Sequence, residues 1–165
     1  MDEFTCEPVA PGRLHETWPF IKRGLEAIVR KTPNIRWIPE DVYAALQHNN
    51  ASAYLVRDNS SGRVLGFFVV HPQNTGFSDR TELFLWAAWT IPLRERMNGD
   101  NVDGAIRAAI EHMVKLAHDG GHVGLVFLTA RRGFSIANRL GKPGLPYFTP
   151  AFTAYRVNIQ QGGQR

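Results

Sequence analysis

Ile91-Pro92-Leu93-Arg94-Glu95-Arg96-Met97-Asn98-Gly99-Asp100-Asn101-Val102 links an aromatic-rich apolar run to a helical stripe. The run, Thr81 to Ile91, carries Phe84, Trp86 and Trp89, so bulk falls on both of its faces, as in a central strand covered on each side. The stripe is Val102, Ile106, Ala109, Ile110, Met113 and Ala117, one face of a helix that Gly120-Gly121 would cap. An arginine and a glycine three residues apart, just ahead of a helix N-terminus, can present backbone N–H groups to a phosphate.

Working outward toward the N-terminus, Ala53 to Arg57 and Val64 to His71 are short apolar runs separated by Asp58-Asn59-Ser60-Ser61-Gly62, a hairpin signal. With the run from Thr81 they predict an antiparallel meander, and Pro72 to Asp79 reads as the longer connection. Ahead of it, Leu14, Trp18, Ile21, Leu25 and Ile28 recur at steps of four and three, which predicts a helix over about His15 to Lys31. Pro39 with Glu40 and Asp41 behind it starts a second, short helix ending near His48-Asn49-Asn50. Toward the C-terminus, Val123 to Thr129 reads as a strand, Arg131 to Leu140 as a helix and Phe152 to Ile159 as a last strand.

At 165 residues and 44% hydrophobic, the chain suits one domain, 1–165, with residues 1–12 and 160–165 expected to be flexible termini. The acidic opening Met1-Asp2-Glu3 does not resemble a signal peptide, and the apolar run Leu83 to Trp89 is too short for a bilayer. No membrane partner is expected, and the location is read as cytoplasmic. One cysteine, Cys6, excludes an internal disulfide and agrees with a reducing compartment. Its place near a terminus points to an incidental thiol, not a nucleophile. The net charge is +4, with fifteen arginines against four lysines, but the arginines are scattered and imply no clear nucleic-acid partner. His112, His118 and His122 lack an accompanying carboxylate or cysteine cluster, so no metal is expected. No Gly-x-Ser-x-Gly elbow supports a serine nucleophile.

The order helix, helix, three-strand meander, helix, strand, helix, strand, with Arg96 and Gly99 on a turn between strand and helix, resembles the GNAT superfamily of acyl-CoA N-acyltransferases. The resemblance spans roughly Leu14 to Ile159. It implies an α/β (α+β) fold: a central mixed, mostly antiparallel sheet flanked by about four helices. It also implies acetyl-CoA as cosubstrate, its pyrophosphate held by Arg94, Arg96, Asn98, Gly99, Asp100, Asn101 and Val102. Asn101 stands where the family pattern Q/R-x-x-G-x-G/A has a small residue, and its side chain would take up part of the phosphate's space. Asp100 and Asp103, at the helix start, are expected to offset the dipole and repel an anion.

For the chemistry, the resemblance points to Glu82 as general base, near the start of the central strand, and to Tyr147 or Tyr155 as general acid. Each of the three also has a plain structural reading, as an exposed strand-end glutamate or a core tyrosine. Arg131-Arg132-Gly133-Phe134 resembles a turn of GNAT-like proteins encoded by tailed bacteriophages; the two arginines either hold a phosphate or acidic partner, or form the polar side of a short helix. Two functions follow from the resemblance. One is a divergent, phage-encoded N-acyltransferase acting on an unknown amine. The other is a catalytically inactive GNAT-like domain serving as a virion, assembly or protein-interaction component, in host cytoplasm or virion, with homo-oligomerisation allowed by the many aromatics.

Overall fold

A computed structural model of the protein describes residues 3–32, 35–74 and 79–127. Contacts divide the chain into two units, Met1–Phe134 and Ser135–Arg165, and everything described lies in the first. The expected helix at 131–140, the strand at 152–159, Tyr147, Tyr155, the 131–134 turn and the tail from 160 lie outside the described residues.

The described elements run β1 (Phe4–Pro8), α1 (Leu14–Lys31), α2 (Pro39–Gln47), β2 (Ser52–Asp58), β3 (Val64–Asn74), β4 (Thr81–Thr90), α3 (Val102–Asp119) and β5 (Leu125–Phe127), with 3-10 turns at Pro11–Arg13 and Leu93–Glu95. The strands form one sheet in the order β1-β2-β3-β4-β5. Its first four strands are antiparallel, and β5 joins β4 in parallel. The central run is therefore an interior strand, as its two-sided bulk required.

One expectation is corrected at the N-terminus. Residues 4–8 do not fray: they form β1, paired in register from Phe4 opposite Asp58 to Pro8 opposite Tyr54. Arg57 fixes the pairing by donating to the Glu7 carboxylate through Nε (2.8 Å) and Nη2 (3.0 Å). Pro8, lacking an N–H, is tolerated because β1 is the edge of the sheet among the described strands.

The helices divide between the two faces of the sheet. On one face Leu14, Ile21 and Leu25 of α1 and Val42 and Leu46 of α2 meet Ala53, Leu55, Phe67, Val69 and Ala87 in the main core. On the other, α3 buries Val102, Ala105, Ile110, Met113 and Ala117. Tyr54 and Phe68 stack with centroids 5.0 Å apart on that side, and His112 of α3 lies 5.1 Å from the Tyr54 ring. Cys6 sits there too. Its thiol faces the Ala108 carbonyl at 3.9 Å, and burial pushes its pKa up to about 11, so it is no nucleophile at neutral pH.

β4 departs from a regular ladder along its edge with β3. Its register with β3 skips Trp86, since Val69 faces Ala87 while Val70 faces Leu85, which is a β-bulge. Among the described residues β5 pairs only with Leu83, Phe84 and Leu85. From Trp86 to Thr90, roughly 17 Å of strand at the usual rise, one edge of β4 has no described strand beside it.

Candidate functional site

The C-terminal half of β4 leads directly into the loop that joins it to α3. Ile91 is buried, its N–H donating to the Leu65 carbonyl (2.9 Å), which anchors the loop's start to β3. After the turn at Leu93–Glu95, the Asp100 N–H donates to the Met97 carbonyl (3.1 Å), closing a tight turn with Gly99 at its third position and φ of 99°. A positive φ there is what glycine alone adopts without strain. The Asp100 carboxylate also accepts from the Met97 N–H (2.8 Å). Among the described residues, the amides of Asn98, Gly99 and Val102 meet no acceptor. They are the donors a phosphate would need.

The expectation that Asp100 repels an anion is corrected by its surroundings. Its side chain is only 4% exposed and forms an ion pair with Arg63, whose Nη1 lies 2.8 and 2.6 Å from the two carboxylate oxygens. Its charge is thus already met, and it acts as an internal staple of the turn. Asn101 has a second use of its own. Its Oδ1 accepts from the Gly104 N–H (2.9 Å) as the N-cap of α3, while its Nδ2 donates to Glu3 (2.9 Å). Asp103 remains as an exposed acid in the first turn of α3.

Of the basic candidates, the Arg94 side chain is 85% exposed and 3.9 Å from Glu95. Arg96 is exposed, and its Nε donates to the Ile91 carbonyl (3.4 Å). Leu93 and Met97 are exposed apolar side chains on the same loop. With Asp100 neutralised by Arg63, two exposed arginines stand beside the free amides.

Glu82 sits at the other end of β4, opposite Gln73. Its carboxylate has no hydrogen-bond partner among the described residues. His71, absent from the sequence-based candidates, lies opposite Phe84 on the same face of the sheet as Glu82. Its ring packs 5.1 Å from Phe84 and 5.5 Å from Trp86, and Trp37 stands 6.2 Å from Trp86. Nδ1 lies 3.1 Å from the Pro72 carbonyl. A carbonyl only accepts, so in the neutral ring the tautomer that fits carries its proton on Nδ1 and leaves Nε2 as an acceptor. This aromatic group lies beside the last described pair of β4 and β5, Leu85 with Phe127. No sequence signal marks His71, because strand pairing alone brings it beside Trp86.

No group of three or more His, Cys, Asp or Glu side chains is placed to hold a metal among the described residues. No described helix is long and apolar enough to cross a membrane.

No protein-family model matches the chain, and no curated protein does. Solved structures do. An aminoglycoside acetyltransferase from an uncultured soil metagenomic sample, in complex with sisomicin, superposes with a TM-score of 0.64 at 13% identity, over 96% of this chain and 97% of that one. A ribosomal-protein-alanine N-acetyltransferase from Brucella melitensis biovar Abortus 2308 gives 0.60 at 15% identity, over 94% and 99%. The fold is that of the GNAT acetyltransferases. An acetyltransferase from Trypanosoma brucei is similar to the same extent, with a TM-score of 0.60 at 11% identity over 94% and 99%. The GNAT fold accounts for the mixed sheet, with β5 added in parallel to an antiparallel meander. At these identities it speaks for architecture, and residue roles rest on the chemistry of the side chains themselves.

Proposed function

We propose that the protein is an N-acetyltransferase that moves an acetyl group from acetyl-CoA to an amine. The observation that carries this reading is the loop between β4 and α3. It combines a left-handed Gly99, free amides at Asn98, Gly99 and Val102, and exposed Arg94 and Arg96, while the one acid inside the turn is neutralised by Arg63. These residues fit a pyrophosphate, with backbone donors and the α3 dipole doing most of the binding. Asn101 contributes by holding the end of α3 in place, and Asp100 by staple, not by contact.

In such a transfer a base takes the amine's proton, the nitrogen attacks the thioester carbon, the carbon–sulfur bond breaks, and an acid protonates the departing thiolate. Glu82 and His71 Nε2 are the two proton acceptors on the face of β3 and β4 that carries Trp37 and Trp86. Tyr147 and Tyr155 stay as the proposed acids. The acceptor is an amine that tolerates an aromatic wall.

A thermal-shift titration with acetyl-CoA tests the reading, because a ligand that binds only the folded state raises Tm by mass action, about 2.7 kcal/mol at a hundred times Kd. Wild type should shift and Gly99→Glu should not. An unshifted wild type at millimolar acetyl-CoA would sink the proposal. With a generic amine panel, loss of the true base should cut the rate by about 10²- to 10⁴-fold, in His71→Gln or in Glu82→Gln.

A further inference from the structure

The loop that would hold the phosphate is held in turn by two arginines from outside it. Arg63, just ahead of β3, reaches the Asp100 carboxylate through Nη1, and its Nη2 donates to the Glu95 carbonyl at 3.3 Å. Glu95 is caught from the other side by Arg23 of α1, whose Nη1 lies 3.0 Å from its carboxylate. The Arg23 guanidinium is 5.2 Å above the Trp89 ring and 5.6 Å from Phe20, so it is packed in place. Through Asp100 the contact passes to a backbone donor of the turn, the Met97 N–H.

We infer that Arg63 is a positioning residue for this loop, holding the turn at 97–100 so that the Asn98 and Gly99 amides stay turned outward for an anion. Its side chain is 28% exposed and its partner's 4%, so solvent screens the pair weakly. Nη1 meets both carboxylate oxygens while Nη2 takes the Glu95 carbonyl, so one planar guanidinium ties two points of the loop in a fixed geometry. Without it the Asp100 charge would be buried and unmatched, and the turn would have to open to hydrate it. Arg23, acting on Glu95, steadies the preceding turn and serves the same end. The inference rests on the acetyl-CoA reading for the identity of the anion, and on the contacts alone for the brace.

The decisive variant is the double substitution Arg63→Gln/Asp100→Asn, which removes both charges and strands neither. Amide exchange in the unliganded protein is read at Met97, with Ile91, whose N–H is bonded to Leu65 and untouched by the change, as the internal control. The brace requires Met97 to exchange about tenfold faster in the double variant than in Asp100→Asn alone, which changes the Met97 acceptor in the same way, with Ile91 unchanged; equal Met97 rates in those two would overturn it. Affinity for acetyl-CoA should fall by about tenfold, which is about 1.4 kcal/mol of binding. Arg63→Lys, which keeps the charge but cannot hold Asp100 and the Glu95 carbonyl with separate nitrogens, should recover part of that affinity, and an affinity unchanged in the double variant would refute the positioning role. If the wild type fails to bind acetyl-CoA while Met97 exchange accelerates in the double variant, the acetyl-CoA reading falls and the brace stands.

Discussion

At Gly24 α1 lies close against rings of the sheet. A Cβ there would overlap the Phe67 ring and come within 2.8 Å of Trp89, and both rings are packed among Phe20 and one another. Phe67 is almost fully buried and has nowhere to move. Gly24→Ala should therefore destabilise by about 1–3 kcal/mol despite alanine's better helix propensity, as overpacking does in a closed core. A shift of the urea midpoint to lower concentration, with an unchanged slope, would show it; a midpoint equal to or above wild type would mean that α1 can slide. At this scale the sequence is a poor guide. Nothing local distinguishes Gly24 from a helix-weakening glycine, or Asp100 from an anion-repelling acid, because the deciding partners, Phe67 and Arg63, stand 43 and 37 positions away.

At the scale of elements, the helices and the meander were legible because each carries its own period. α1 and α3 present apolar stripes at steps of three and four, and β2, β3 and β4 are apolar runs bounded by turn residues. β1 carried no such signal. Five residues ending in proline take strand form from pairing with β2, not from their own preference. The start of α3 shows the same dependence on context: Asn101 looks like a misplaced bulky residue in a phosphate turn, yet it is the N-cap, bonding the Gly104 N–H and tied to Glu3 beside β1. Asn101→Ala should cost about 1 kcal/mol of stability, and Asn101→Ser, which restores an acceptor, should return much of it. Equal losses in the two variants, measured by thermal melting, would show that the contact to Glu3 matters and the cap does not.

For the molecule as a whole, α3 has two duties, since its inner face closes one side of the core and its first turn carries the loop proposed to hold acetyl-CoA. His112 joins the two. It lies between α3 and the sheet against Tyr54 and Phe68, its Nε2 is buried with no partner among the described residues, and the groups nearest it are those two rings, with the Lys115 charge one helical turn away. Burial, and to a smaller extent Lys115, hold its pKa below the ordinary histidine value. The folded protein therefore binds this proton less readily than the unfolded chain. Stability from this site is full above the unfolded value of about 6.5 and is lost as pH falls below it, until the folded pKa is passed. The measurement is a difference, which isolates this site: Tm of wild type minus Tm of His112→Phe, followed from pH 7.5 to 5. That difference should become more negative with acid, and the variant should equal or exceed wild type at pH 7.5, since it removes an unsatisfied buried nitrogen. If loosening α3 also loosens its first turn, acetyl-CoA affinity should weaken with acid in wild type more than in the variant. A Tm difference that stays flat across this range would mean that His112 is hydrated in solution and that the α3 interface carries no pH dependence of its own.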